Sequence, residues 1–143
     1  MNQINLMNYS ATTIRVSLGI MFISHGLLKL LVFTLAGTAG FLESQGYPQW
    51  LAAPLTYAEI IGGVLLVIGL QTRLVALVLT PVLIGALIVH LPSGWVFSSP
   101  GGGWEYPLFL LATNFSLLLS GSGHFSISKK DILLSFINKG SQV

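Results

Sequence analysis

The 143 residues are 53% hydrophobic and only 7% charged, against roughly 25% charged in an average soluble domain. Six Lys and Arg face four Asp and Glu, a formal charge of +2, and the cations form no interleaved patch, so a nucleic-acid partner is excluded. With no cysteine, the chain supplies no disulfide, thiolate nucleophile, iron–sulfur ligand or haem attachment motif.

The mean hydropathy of +0.83 is concentrated in four runs, each near the ~20 residues that cross a bilayer. They predict an all-α polytopic membrane protein of one domain, an antiparallel bundle of four transmembrane helices over 12–33, 51–70, 74–91 and 105–121. The stretch before the first run, Met1 to Ser10, has no basic region, and no small-residue cleavage pattern follows that run, so the first helix is expected to be retained as an anchor. Between the first two runs, Gly37 to Trp50 passes through Phe41, Leu42 and Glu43 to Gly46 and Pro48, which predicts a short interfacial helix ended by Gly and Pro. Tyr47 and Trp50 fit headgroup-level anchors. Only Gln71, Thr72 and Arg73 separate the second and third runs, which forces a helical hairpin. Pro92 to Trp104 carries two prolines and Gly101–Gly103, and reads as loop. The glycines lack the lysine and strand-to-helix context of a phosphate loop.

Residues 122–143 form a polar, basic tail. Arg15, Arg73, Lys129, Lys130 and Lys139 all fall on one side of this arrangement, while the loops on the other side contain no cation. Both termini are therefore expected to be cytoplasmic, in a bacterial inner membrane. Arg15 and Arg73 read as topology and structural anchors at that boundary.

The informative residues are those that are costly in hydrocarbon: His25 and Lys29 in the first helix, Glu59 in the second, His90 near the end of the third, and Asn114 in the fourth. At 100° per residue, Arg15, Leu18, Phe22, His25 and Lys29 share one narrow arc, which cannot face lipid. Glu59 shares its face with Gly62 and Gly63, whose lack of side chains lets a neighbouring backbone or a flat ligand approach. With a rise of about 1.5 Å per residue, His25 and Glu59 both lie about 12 Å below the outer ends of their helices, so a His25–Glu59 pair is possible. Lys29, one turn further out, reaches either Glu105 or Glu59. A buried pair of this kind can equally serve only to fix helix register. Asn114 points away from Glu105, Ala112 and Ser116, towards a second protomer. His90 reads as a solvated helix-end histidine, His124 carries no usable signal, and Trp104 beside Glu105 reads as a pocket lip. His25 and His90 differ in depth by about ten ångströms, which disfavours a bis-histidine haem. No Glu-x-x-His pattern points to a di-iron centre, and no metal site is assigned.

The combination Arg15-x3-Gly19-x2-Phe22-x2-His25-Gly26-x2-Lys29-Leu30 resembles the opening signature of the DoxX family of small bacterial membrane proteins. It continues with Gly46-x-Pro48, Ala58-Glu59-x2-Gly62-Gly63-x-Leu65-x3-Gly69-Leu70-x-Thr72-Arg73 and Gly102-Gly103-x-Glu105-Tyr106-Pro107, so that the resemblance spans about 12–128. One departure follows Gly121-x-Gly123, where the family's Ser-apolar-Asp is here Ser126-Ile127-Ser128. The resemblance implies a four-helix membrane bundle and an oxidoreductase component, linked to thiosulfate and quinone chemistry or to redox-stress complexes with soluble partners, with His25, Lys29, Glu59 and Glu105 as its functional set and Arg15 and Arg73 as support.

The reading that follows is a redox subunit that binds a quinone-like ligand in a polar pocket between the first, second and fourth helices. His25 and Glu59 are its catalytic proton carriers, and Lys29, Gly62, Gly63, Trp104 and Glu105 bind the substrate. Its partners are the lipid bilayer and either further copies of itself or a redox subunit that supplies electrons. The alternative is a non-catalytic scaffold or small-solute permeation module that recruits partner proteins.

Overall fold

Helix α1 (Gln3–Leu27) begins where the Asn2 side chain accepts from the Asn5 amide at 3.0 Å, so the helix is already under way well before the apolar run. The structure is a computed structural model that describes residues 2–127 and 131–140. After α1, Leu28–Val32 form a π-helical turn. Thr34 then takes a left-handed conformation (φ 62°), a position that a β-branched residue rarely adopts, and the chain turns into α2 (Thr34–Ser44). Next come a 3₁₀ turn (Gln49–Leu51), α3 (Ala52–Ile68) and α4 (Thr72–His90). A loop leads to α5 (Glu105–Ser120), and α6 (Ile132–Gly140) follows. Among the described residues there is no strand.

Among the described residues three stretches are long and apolar enough to cross a membrane: Gln3–Val32, Gln49–Ile68 and Thr72–Ser93, of 30, 20 and 22 residues. Helix α5 is shorter, at 16 residues. Lys129 and Lys130 lie outside the described residues, as does the side chain of Lys139.

The closest helix pair is α1 with α3, and glycine explains it. Gly19 and Gly63 face one another so closely that a Cβ on Gly63 would sit 2.7 Å from the Gly19 carbonyl oxygen, and a Cβ on Gly19 would sit 2.8 Å from that of Gly63. Gly26 repeats the contact one level further along, against Thr56 and Ile60. Small residues at helical spacing let two backbones meet without an intervening side-chain layer. Gly62 faces the other way, under the Leu79 side chain of α4.

Around this pair, Leu18, Phe22, Leu66, Val75, Ala76, Leu79, Leu83 and Leu117 form the core. The α3–α4 hairpin is closed by Gly69 in the left-handed region (φ 74°), whose amide reaches Leu66 O while that of Leu70 reaches Leu65 O. This double bond is a Schellman ending that saturates the last carbonyls of α3. Asn114 is fully buried, and its Nδ2 donates to Ala76 O and Thr80 Oγ1, both at 3.0 Å. It ties α5 to α4 and does not face outward to a second protomer, because two acceptors on the adjacent helix lie within its reach.

At the end that carries the arginines, the chain after α5 folds back across α1. Thr12 Oγ1 donates to His124 O at 2.8 Å, and Arg15 Nη2 to His124 O and Phe125 O at 3.3 and 3.1 Å. Arg15 is 1% exposed, so it is a packed clasp rather than a side chain reaching for headgroups. Arg73 caps the last turn of α5 through Leu118 O (2.8 Å) and Leu119 O (2.9 Å), and pairs with Asp131 at 2.8 Å. Cations at a helix C-terminus meet both unsatisfied carbonyls and the negative end of the dipole.

Candidate functional site: a cavity with a buried ion pair

Opposite the arginine clasp lies a cavity of about 650 Å³, enclosed by α1, α2, α3, α4, α5 and the loop before α5. Sequence features make the room. On α4, Pro81 and Gly85 line the cavity, and a Cβ at Gly85 would meet nothing within 4 Å. Helix α2 turns inward and contributes Thr38, Phe41 and Leu42. Phe97, Gly102 and Gly103 of the loop cover the outer side.

Its charged centre is the ion pair of Lys29 Nζ with Glu59 Oε1. Lys29 stands on the π-helical turn, where the extra residue per turn changes the direction of a side chain relative to the preceding helix. The side chain of Glu59 is 5% exposed and that of Lys29 27%. Its second oxygen, Oε2, has no hydrogen-bond partner, and neither has the hydroxyl of the buried, cavity-lining Thr38. An unpaired buried carboxylate oxygen is costly, and this one belongs to a residue that lines a cavity.

The level placement of His25 and Glu59 does not produce a bond between them. His25 lines the cavity, but its Nδ1 bonds Met21 O at 2.9 Å within α1, and the longer Lys29 side chain takes the carboxylate. A carbonyl only accepts, so His25 Nδ1 carries a proton, and in the neutral ring Nε2 presents its lone pair. The ring stacks on Tyr106 of α5 at 5.8 Å, with an interplanar angle of 22°. Tyr106 O–H donates to Met21 Sδ at 3.6 Å.

Two residues take a place in the cavity that the sequence reading did not give them, Tyr106 and His90. His90 is no free helix end. It lines the cavity, bonds Ala86 O through Nδ1 at 2.7 Å, and is covered by Gly102, whose added Cβ would sit 3.1 Å from its ring. The covering loop is placed only by the tertiary fold; nothing local in the Gly101–Gly103 run signals which residue it covers.

The other singled-out residues lie elsewhere. Gly62 and Gly63 are spent on helix packing, against Leu79 and against Gly19 with Ile23. Glu105 holds the loop, accepting from the Phe97 amide at 2.8 Å, and lines a separate shallow groove with Trp95 and Phe97. Trp104 packs edge-on against Trp95 at 4.3 Å. Helix α4, which the sequence reading left out of the pocket, forms much of its wall. Among the described residues no group of three or more His, Asp or Glu side chains is placed to hold a metal ion.

An all-helical chain with three membrane-length spans and a polar pair inside an apolar cavity defines a class of small integral membrane protein. The chain belongs to the DoxX family, whose model matches residues 10–91. It is 39% identical over 110 residues to "Putative oxidoreductase CatD" of Bacillus subtilis (strain 168), covering 76% of this chain and 77% of that protein. It is also 31% identical over 124 residues to an uncharacterized protein of Haemophilus influenzae (strain ATCC 51907 / DSM 11121 / KW20 / Rd), covering 85% of this chain and 90% of the relative. No solved structure matches the chain.

Proposed function

We propose that the protein is the membrane subunit of a redox system and that the cavity takes a quinone-like ring, with Glu59, His25 and Lys29 at its polar end. In this reading α5 is a fourth span, α2 lies at the interface, and both termini face the cytoplasm of a bacterial inner membrane. The observation that carries it is the unpartnered Glu59 Oε2 beside the Lys29 pair, on the wall of a largely apolar cavity of about 650 Å³. Small-ligand sites have this composition: apolar walls and a few convergent polar groups.

Interconversion of a quinone and its quinol moves two electrons and two protons. Glu59 Oε2 and His25 Nε2 exchange the protons, and Lys29 stabilises negative charge that develops on the ring oxygen. The electrons pass to or from a partner redox protein, since the chain carries no cysteine and no flavin or nicotinamide fingerprint. The name of the Bacillus relative, an oxidoreductase, accords with this role.

The test is native mass spectrometry of the protein released from its own membrane in mild detergent. A stoichiometric quinone-sized adduct that is absent from Glu59→Gln supports the reading. A species that holds only lipid and copies of itself overturns it in favour of a scaffold or permeation module.

A further inference from the structure

We infer that the cavity is built for the reduced, hydroxyl-bearing form of an aromatic ring, and that His90 is one of the residues that read it. The inference rests on the function proposed above and narrows it, since an oxidised ring and its reduced form have almost the same shape and differ in hydrogen-bonding sense. A quinone carbonyl only accepts; a phenolic hydroxyl donates as well.

The polar residues that line the cavity are weighted towards acceptors. Glu59 Oε2 is buried without a partner, while Oε1 is held in the ion pair with Lys29, and a carboxylate in an ion pair is an acceptor only. His25 and His90 each give the Nδ1 proton to a carbonyl of their own helix, Met21 O at 2.9 Å and Ala86 O at 2.7 Å. In each neutral ring the remaining Nε2 is therefore an acceptor, and neither Nε2 has a hydrogen-bond partner among the described residues. The Thr38 hydroxyl can serve either sense. Lys29 supplies the donor.

A ring hydroxyl satisfies this arrangement at one point, since it donates to Glu59 Oε2 while its oxygen accepts from Lys29. A carbonyl in the same place accepts from Lys29 and leaves Oε2 still unpaired, with lone pairs opposed. A second hydroxyl has an acceptor in the Nε2 of His25 or of His90. Sites built to hydrogen-bond a hydroxyl reject the analogue that lacks it, because their own buried groups are left without partners.

The experiment is a titration of the purified, lipid-reconstituted full chain with three probes of one ring: a short-chain benzohydroquinone, the matching benzoquinone, and the hydroquinone dimethyl ether. Binding is followed by calorimetry under anaerobic conditions. The hydroquinone is expected to bind at least about tenfold more tightly than either other probe, the gap expected when a buried acceptor is left unpaired. His90→Phe is expected to lower hydroquinone affinity several-fold and quinone affinity less, so that the gap between the two narrows. Glu59→Gln, which adds an amide donor, is expected to close or reverse the gap between the two.

Equal or tighter binding of the quinone by the unmodified protein overturns this inference alone and leaves the proposed function standing. Binding of none of the three probes overturns the quinone-like reading of the cavity, and this inference with it. A hydroquinone preference that His90→Phe leaves untouched removes His90 from the assignment.

Discussion

The two ends of the bundle each bury charge, and they use it differently. At the arginine end the guanidinium groups are committed chiefly to main-chain carbonyls, Arg15 to those of His124 and Phe125 and Arg73 to those of Leu118 and Leu119, with Asp131 as a further partner of Arg73. A Cβ on Gly69 would collide with Arg15, and one on Gly121 would come within 2.8 Å of Arg73, so the side chains are walled in by backbone. At the cavity end Lys29 and Glu59 are committed to one another, and the remaining carboxylate oxygen belongs to a residue lining open volume. Both ends leave buried polar atoms unpaired, including Arg15 Nε and Nη1. What separates them is space: packed protein surrounds the first set, and the second lines a chamber.

The largest effect that sharpens this contrast is expected from Lys29→Met. It strands a buried carboxylate, at a cost of about 3 kcal/mol, read as a lower denaturation midpoint together with loss of ring binding. Adding Glu59→Gln removes the stranded charge. The double variant should recover stability to within about 1 kcal/mol of the parent while binding stays lost; recovery of both would show the pair to be structural only. Next comes Arg15→Gln, which removes charged hydrogen bonds to the segment after α5 and is expected to cost about 2 kcal/mol. Proteolysis should accelerate around His124, with ring affinity unchanged. A change in affinity there would mean that the two ends communicate. The smallest effect is expected from Asn114→Leu, about 1 kcal/mol for interhelical hydrogen bonds in a membrane setting, and a larger loss would mark the α4–α5 seam as a principal support of the cavity.

Helices α1 to α5 were legible because apolar runs, the Gln71–Arg73 break and the glycine and proline stops are local signals, whereas α6 falls within the stretch read only as a polar tail. Glu59 and Lys29 stood out because ionisable residues in such runs are rare. Their pairing was only one of the options, since counting along ideal helices sets His25 level with Glu59 and cannot anticipate the π-helical turn under Lys29 or the bond that draws His25 Nδ1 to Met21 O. The roles of Gly62 and Gly63 were ambiguous in principle: a missing side chain admits a ring and a helix equally well, and helices occupy both positions. The place of Tyr106 and His90 in the cavity was not legible because their environment is made by non-local folding, of the Phe97–Gly103 loop over the end of α4 and of α5 against α1. The clasp on Arg15 escaped for the same reason, since its acceptors lie more than a hundred positions away along the chain.

The contact between Gly19 and Gly63 has a mechanical corollary. Where two helices touch through side chains, each can slide by small rotamer adjustments; where they touch through peptide groups, there is nothing soft between them to deform. Helices α1 and α3 therefore act as one stiff plate, which carries Glu59 directly and Lys29 on the π-helical turn that continues α1. Among the described residues the other walls of the chamber, α2 behind the left-handed Thr34 and the glycine-rich loop above His90, have no such backbone-to-backbone seam with the plate, so the stiffness of the chamber is uneven, greatest on the side of the ion pair.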